Sequence, residues 1–268
     1  MNEYERYLFD LNGYLVVEDF LTPAEVAALS EAIDRNPDRV VERDSLLKPS
    51  ATLKGDFVRG DLEGMLMWPK PWCQPFRELI DHPKTALYLD ELLGPRFLLD
   101  HLYGIVMSRG AQGLHLHGGG TRRGEDDTDF GATQYFYRYH NGRIRNGLTV
   151  TTFVLADEGP GDGGFMCIPG SHKSNFPLPE DVISLDRDIG VVKEVTARAG
   201  SVIIFTEALS HGTLPWRASH QRRAVLCKYT SGVSVGSQNY LSQGVEEALG
   251  EFTAEQRARM NPVPSRSW

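Results

Sequence analysis

The chain has 268 residues, of which 41% are hydrophobic and 24% charged, a composition that supports one globular domain with its own core. Its formal net charge of −8 argues against a general binder of nucleic acid or membrane surfaces, because both are met by a basic protein face. A small-molecule partner is therefore expected. The three cysteines form no CxxC pair, the opening residues are acidic and no run of about eighteen apolar residues occurs, so we expect a cytoplasmic protein that is neither exported nor inserted in a membrane. The sequence leaves the oligomeric state open.

Residues 1–95 are predicted to form a mainly helical lead-in. A short strand at Gly13–Val17 precedes a helix whose start is marked by Thr22 as the N-cap and Pro23 at the first helical position. A second helix is predicted over Pro83–Leu93, where leucine and alanine recur at helical spacing.

From residue 96 onward the pattern changes to short runs rich in β-branched and aromatic residues, bounded by Gly, Pro and Asp. Such runs predict β-strands. They are Leu98–Met107, Leu148–Leu155, Gly164–Ile168, Val191–Val195, Ser201–Phe205 and Ala224–Tyr229. Together they predict a mainly β fold with flanking helices, a double-stranded β-helix or cupin-like jelly roll, over residues 96–235, followed by a C-terminal tail at 236–268.

The stretch 118–147 does not fit a strand. It is punctuated by glycine, mixes arginines with acidic residues and carries several aromatic side chains. Connections of this length inside a compact fold are usually functional loops. We therefore predict a lid or binding loop here.

Two of the eight histidines, His117 and His211, each stand in a glycine-containing segment that we expect at the end of a strand, where the mouth of a barrel often holds a ligand. A mononuclear iron(II) oxygenase commonly holds its metal with two histidines and one carboxylate. His117-Gly118-Gly119 has the histidine of such a motif, but Gly119 stands where the acid is expected. The sequence thus indicates an iron site that lacks its usual carboxylate.

Four segments carry a family resemblance: the strand and Thr-Pro helix of the lead-in, Asp162–Lys173, Gly200–Phe205, and His211-Gly212 followed by an arginine. In these the chain resembles the phytanoyl-CoA dioxygenase (PhyH) family of iron(II)/2-oxoglutarate-dependent oxygenases. The resemblance spans most of the chain. It implies an enzyme that uses Fe(II), 2-oxoglutarate and O2 on a small molecule, and a structural role for His172 in the Ile-Pro-Gly-Ser-His segment.

The resemblance also implies roles for single residues. His117 and His211 would be metal ligands, and Arg222 would grip the far carboxylate of 2-oxoglutarate, with Arg223 as its competitor. A guanidinium suits this task because it makes bidentate, charge-assisted contacts with a carboxylate. Side chains alternate along a strand, so only one of the two arginines can point inward.

Gly119 is the departure from the family pattern. In the related 2-oxoglutarate-dependent halogenases, Gly or Ala replaces this acid and chloride fills the vacated metal position. By this resemblance His117-Gly118-Gly119 is an HxG motif, and chlorination of a substrate C–H bond is the expected reaction, with chloride as a further cofactor.

Three alternatives keep an ordinary oxygenase. His115, two residues before His117, would give a three-histidine site. Glu207 would supply the carboxylate if residues 207–211 turn, because an extended chain puts Glu207 about 13 Å from His211 whereas a helical turn brings them within about 6 Å. Asp129 in the predicted lid is a third source. Each would make the enzyme a hydroxylase or dioxygenase.

A non-catalytic barrel that binds a small molecule is the alternative from another functional class. The arginines of the 118–147 stretch would suit an anionic substrate. Neither nucleic acid nor a membrane is expected as a partner.

Overall fold

The computed structural model describes residues 1–43, 50–119, 135–231 and 245–260. Its α-helices are α1 (Glu3–Asn12), α2 (Pro23–Asp34), α3 (Gln74–Ile80), α4 (Pro83–Leu92), α5 (Glu180–Ile183) and α6 (Ala254–Met260). Its strands are β1 (Tyr14–Val17), β2 (Val40–Arg43), β3 (Arg59–Leu62), β4 (Phe97–Met107), β5 (Leu114–His117), β6 (Tyr137–His140), β7 (Arg143–Asn146), β8 (Thr149–Val154), β9 (Gly164–Cys167), β10 (Lys193–Glu194), β11 (Val202–Thr206), β12 (His211–Leu214) and β13 (Arg222–Ser231). Short 3-10 turns cover Pro37–Arg39, Met65–Met67, Ser171–Lys173 and Val245–Glu251.

Eleven of these strands form two antiparallel sheets that face each other, and β6 and β7 pair separately as a two-stranded sheet. The major sheet has the order β1-β11-β8-β13-β4-β3-β2, and the minor sheet has the order β10-β9-β12-β5. Apolar side chains meet between them, as where the rings of Phe165 on β9 and Phe205 on β11 lie 4.8 Å apart. The predicted mainly β jelly roll is confirmed.

The lead-in contributes strands as well as helices. The predicted start of α2 is confirmed, since Thr22 and Glu25 form a reciprocal capping box with Pro23 in the first turn. The strand β1 pairs with β11, and β3 pairs with β4, so residues before 95 complete the major sheet. The helix α1 was not predicted, although Asn2 and Glu5 form a capping box at its start.

The prediction that residues 118–147 contain no strand was wrong for its second half. Tyr137–His140 and Arg143–Asn146 pair as a hairpin, with Asn141 and Gly142 at positive φ in the turn between them. Residues 120–134, including Asp129, lie outside the described residues, so the lid stays a prediction.

Helices cover the outer face of the major sheet. The Tyr229 hydroxyl of β13 lies 3.2 Å from the carbonyl oxygens of Leu79 and Ile80, which ties α3 to this face. The helix α6 packs on β4 at the same face. The inner face is left to meet the minor sheet, and the candidate site lies between the two. No helix within the described ranges is long and apolar enough to cross a bilayer.

Candidate active site

His117 and His211 lie side by side on neighbouring strands of the minor sheet. His117 ends β5, His211 begins β12, and the two residues are direct partners in the antiparallel register. Their ring centroids are 4.2 Å apart. The pairing joins residues far apart in sequence, so the fold brings together the two histidines that the sequence singled out.

Both imidazoles are held in the neutral form, with the hydrogen on Nδ1 and a lone pair on Nε2, that binding to a metal requires. Nδ1 of His117 lies 3.2 Å from the carbonyl oxygen of His115, and Nδ1 of His211 lies 2.8 Å from that of Leu209. A carbonyl oxygen can only accept, so each Nδ1 carries the hydrogen and each Nε2 keeps its lone pair. Burial lowers the pKa of His117 to about 3 and lowers the pKa of His211, which keeps both rings neutral.

Glu207 is the carboxylate beside this pair. After β11 the chain turns, with the amide of Leu209 donating to the carbonyl of Thr206, so Glu207 folds back toward the histidines. Its Oε2 lies 4.0 Å from Nε2 of His211. The turn that the Glu207 alternative required is present.

Lys228 of β13 holds this carboxylate in its ionised form. Its Nζ lies 2.6 Å from Oε1 of Glu207; the Glu207 side chain is buried and that of Lys228 is partly buried. Burial by itself raises the pKa of Glu207, but the charge and hydrogen bond of Lys228, together with the two neighbouring histidines, outweigh burial and bring that pKa down to about 2. Glu207 is thus an anion at neutral pH.

Gly118 and Gly119 let the backbone that carries Glu207 approach β5. A Cβ on Gly119 would lie 2.8 Å from the carbonyl oxygen of Ala208, and one on Gly118 would lie 2.3 Å from that of Leu209. The amide of Gly119 also donates to the carbonyl of Glu207 at 3.1 Å. The space where a side chain at Gly119 would begin is therefore filled by the 207–209 backbone.

Gly119→Ala is expected to lower the free energy of unfolding by about 1–3 kcal/mol, because the added methyl group forces the Ala208 backbone away. Chemical denaturation measures this. Gly250→Ala is the matched control, since a Cβ there meets nothing within 4 Å. Equal stability of the two variants would show that the close approach at Gly119 does not matter.

The two candidate arginines point in opposite directions. Arg222 is buried, with its Nε 2.9 Å from Oε1 of the fully buried Glu158, and it lines the same cavity as the histidines. Arg223 faces outward and pairs with Asp34 of α2 at 2.6 Å. The expectation that only one of the two points inward is confirmed, and the inward one is Arg222.

His115 does not line the cavity. In the pairing of β12 with β5, His211 faces His117 whereas Thr213 faces Leu114, so one extra residue of β5 is accommodated by a bulge. The bulge breaks the strict alternation that would have put His115 and His117 on one face. The His115 ring centroid is 6.2 Å from that of His117, and the structure does not assemble a three-histidine site.

His172 is packed away from the cavity. Its Nε2 lies 3.0 Å from the carbonyl oxygen of Asp10, and its ring meets Tyr137 edge-on at 4.6 Å. This agrees with the structural role expected of the Ile-Pro-Gly-Ser-His segment.

A cavity of about 240 Å³ lies between the sheets. His117, His211, Arg222 and Lys228 line it, together with the hydroxyl-bearing Thr152. Oγ1 of Thr152 is buried and has no hydrogen-bond partner among the described residues. Sequence reasoning missed Lys228, Thr152 and Glu158. For Lys228 a signal was present, because residues an even number of positions from Arg222 on one strand share its face.

The residues beside the cavity match part of the ligand set that iron requires. Two adjacent neutral imidazoles with free Nε2 atoms fit a divalent metal. Within the described part of the chain, no three His, Cys, Asp or Glu side chains are arranged as a complete metal cage. Glu207 binds Lys228 through Oε1, and its Oε2, which lies 4.0 Å from Nε2 of His211, is the oxygen that would have to move closer to complete one.

The fold is shared with several solved enzymes. HygX from Streptomyces hygroscopicus, solved with nickel, 2-oxoglutarate and hygromycin B bound, is 22% identical with a TM-score of 0.68, and the match covers 86% of this chain and 88% of HygX. The 2-oxoglutarate-dependent epimerase SnoN of nogalamycin biosynthesis is 17% identical with a TM-score of 0.60, covering 86% and 82%. The carbocyclase SnoK of the same biosynthesis is 14% identical with a TM-score of 0.58, covering 87% and 85%.

A comparison with curated proteins finds none that matches the chain. The family model described as phytanoyl-CoA dioxygenase (PhyH) matches residues 9–224, which include both histidines, Glu207 and Arg222. The chain therefore belongs to the phytanoyl-CoA dioxygenase family and is an enzyme of the non-heme iron, 2-oxoglutarate-dependent class.

Proposed function

We propose that this protein oxidises a C–H bond of a small molecule, with His117, His211 and Glu207 holding iron(II) and Arg222 holding the distal carboxylate of 2-oxoglutarate. The observation that carries the proposal is the meeting of two neutral imidazoles and one ionised carboxylate beside a cavity that also contains a buried arginine. Glu207 then supplies the charge that residue 119 cannot.

The chain's own residues bind, orient and exclude water. Glu158 occupies Nε of Arg222, which fixes the guanidinium so that its remaining N–H groups can serve a carboxylate in the cavity. Thr152 can add a hydroxyl donor on the neighbouring strand β8. Phe165, Phe205 and Leu226 give the cavity apolar walls. When bound, iron(II) and 2-oxoglutarate supply the oxidising power by activating O2.

Lys228 keeps Glu207 ionised and engages one of its two oxygens. The other oxygen, Oε2, is the one nearer His211. This division favours a carboxylate that offers a single oxygen to a metal, so that positions remain for the co-substrate and O2.

Chlorination is the second candidate, on the single observation that residue 119 carries no side chain. Against it stands the close approach of Ala208, which fills the space beside Gly119. Gly119→Asp therefore cannot simply restore a metal ligand, and we expect it to disrupt the site. The two reactions therefore differ in the role of Glu207 rather than of Gly119: hydroxylation requires Glu207 on the metal, whereas chlorination requires chloride in that position.

The substrate is proposed to be a small molecule. HygX is described with hygromycin B bound and SnoN with nogalamycin RO, which supports a compact organic substrate rather than a macromolecule.

The test uses the purified protein under anaerobic conditions. Addition of iron(II) and 2-oxoglutarate should produce the weak visible charge-transfer band of the chelate, and admission of O2 should convert 2-oxoglutarate to succinate. Absence of the band at saturating concentrations would favour a non-catalytic binding barrel. Mass spectrometry of products formed in chloride buffer then distinguishes hydroxylation from chlorination.

A further inference from the structure

The cavity has two chemically different ends on the inner face of the major sheet. Arg222 and Thr152 lie on the central strands β13 and β8. Crossing β4 toward the edge of the sheet, Ile105 faces Asp61 of β3, and Arg59 of β3 faces Arg43 of the edge strand β2. Asp61, Arg59 and Arg43 all line the cavity, so the edge end is charged and lies apart from the residues assigned to the co-substrate.

Salt bridges hold this edge end together. Oδ2 of Asp61 lies 2.7 Å from Nε of Arg43, and Oδ1 lies 3.0 Å from Nε of Arg59. Arg43 also pairs with Glu63 at 2.6 Å. Two arginines and two carboxylates balance, so the cluster has no net charge. An anionic substrate would have to displace Asp61 or Glu63, which makes this end unsuited to one.

Two buried polar atoms of the cavity lining lack hydrogen-bond partners among the described residues. They are Oδ1 of Asp61, whose contact with Arg59 lacks hydrogen-bond geometry, and Nδ1 of His101, which lies farther along β4, opposite Lys228. Asp61 is only 2% exposed. The charge of Arg59 is close to this oxygen, but a ligand N–H or O–H aligned with it would add a hydrogen bond that these contacts do not make.

We propose that the Asp61 end of the cavity binds the substrate, and that the substrate is a compact molecule carrying hydroxyl groups or a protonated amine that donates to Oδ1 of Asp61. His101, whose side chain also lines the cavity, is placed to contact a second polar group of the same molecule. A long hydrocarbon chain is disfavoured as the substrate, because it would shield these charged side chains from water without forming hydrogen bonds or ion pairs with them. The identification of this end as a substrate site rests on the proposed function.

The test measures binding without catalysis. Saturation-transfer NMR on the metal-free protein is run with two probes at millimolar concentration: D-glucosamine and D-glucose. Glucosamine is expected to bind, and glucose to bind more weakly. Because neither iron nor 2-oxoglutarate is added, the outcome does not depend on the proposed reaction.

Asp61→Asn keeps the shape of the side chain and removes its charge. We expect it to weaken glucosamine binding at least about tenfold, the effect of losing one charge-assisted hydrogen bond. Asp34→Asn is the matched control, since Asp34 pairs with Arg223 away from the cavity. Circular dichroism checks that both variants fold.

Two results would overturn the inference: no binding by either hydroxylated probe, or equal glucosamine binding by Asp61→Asn and the wild type. Should Asp61→Asn fail to fold, His101→Phe replaces it, with the same loss of glucosamine binding expected and unchanged binding counting against the proposal.

Discussion

Glu207→Gln is expected to weaken binding of a divalent metal by at least about 10–100-fold, because loss of even an outer-shell partner of a metal ligand has an effect of that size. Isothermal titration with nickel or cobalt measures the affinity, and the visible bands of bound cobalt report the change in ligand set. Glu194→Gln is the matched control, because Glu194 accepts hydrogen bonds from the amides of Gly161 and Gly163 away from the cavity. Metal affinity equal to wild type in Glu207→Gln would exclude Glu207 as a ligand.

The same change leaves the partly buried Lys228 without its counter-charge, so a destabilised fold could contribute to any loss in metal binding. Removing one partner of a buried ion pair costs about 3–5 kcal/mol. The double variant Glu207→Gln/Lys228→Met removes both charges and should recover most of that stability. It should still bind metal weakly. Recovery of metal affinity together with stability would assign Glu207 a purely structural role.

Arg222→Met is expected to abolish measurable 2-oxoglutarate binding and to lower the free energy of unfolding by about 3–5 kcal/mol, because it leaves the fully buried Glu158 unpaired. Calorimetric titration of 2-oxoglutarate and chemical denaturation measure the two effects. Arg223→Met, one residue away, is the control. Its ion pair with Asp34 is partly exposed, so a loss within about 1 kcal/mol and normal 2-oxoglutarate binding are expected.

The double variant Glu158→Gln/Arg222→Met separates stability from binding. It should be more stable than Arg222→Met alone and should still fail to bind 2-oxoglutarate. Normal co-substrate binding in this variant would contradict the assignment of Arg222.

Long apolar strands could be predicted from sequence, whereas the short polar strands that carry the site could not. The runs Leu98–Met107 and Ala224–Tyr229 reappear in β4 and β13 because both are rich in β-branched, aromatic and other apolar residues, most of which are buried. The strands β5 and β12 have four residues each and include His117 and His211. These two strands pair although they lie far apart in the sequence, so the local residue pattern does not predict the pairing.

The candidate residues show the same limit. His117, His211 and Arg222 followed from the resemblance, and the structure places all three on one cavity. Strand alternation correctly separated Arg222 from Arg223, but it failed for His115 because a bulge inserts one residue into β5.

The tight packing beside Gly119 also could not be predicted from the sequence. A glycine in place of an acid reads as an empty metal position, but only the fold shows that the backbone of Ala208 occupies the adjacent space. Likewise Lys228 and Glu158 matter through their buried partners, Glu207 and Arg222, which lie far from them in sequence.

The measurement that tests the central claim most directly is an anaerobic crystal structure with iron(II), 2-oxoglutarate and chloride present together. The account predicts iron bound by Nε2 of His117, Nε2 of His211 and one oxygen of Glu207. A halide peak in the third position, with no oxygen of Glu207 bound to the iron, would contradict it and establish the chlorinating site instead.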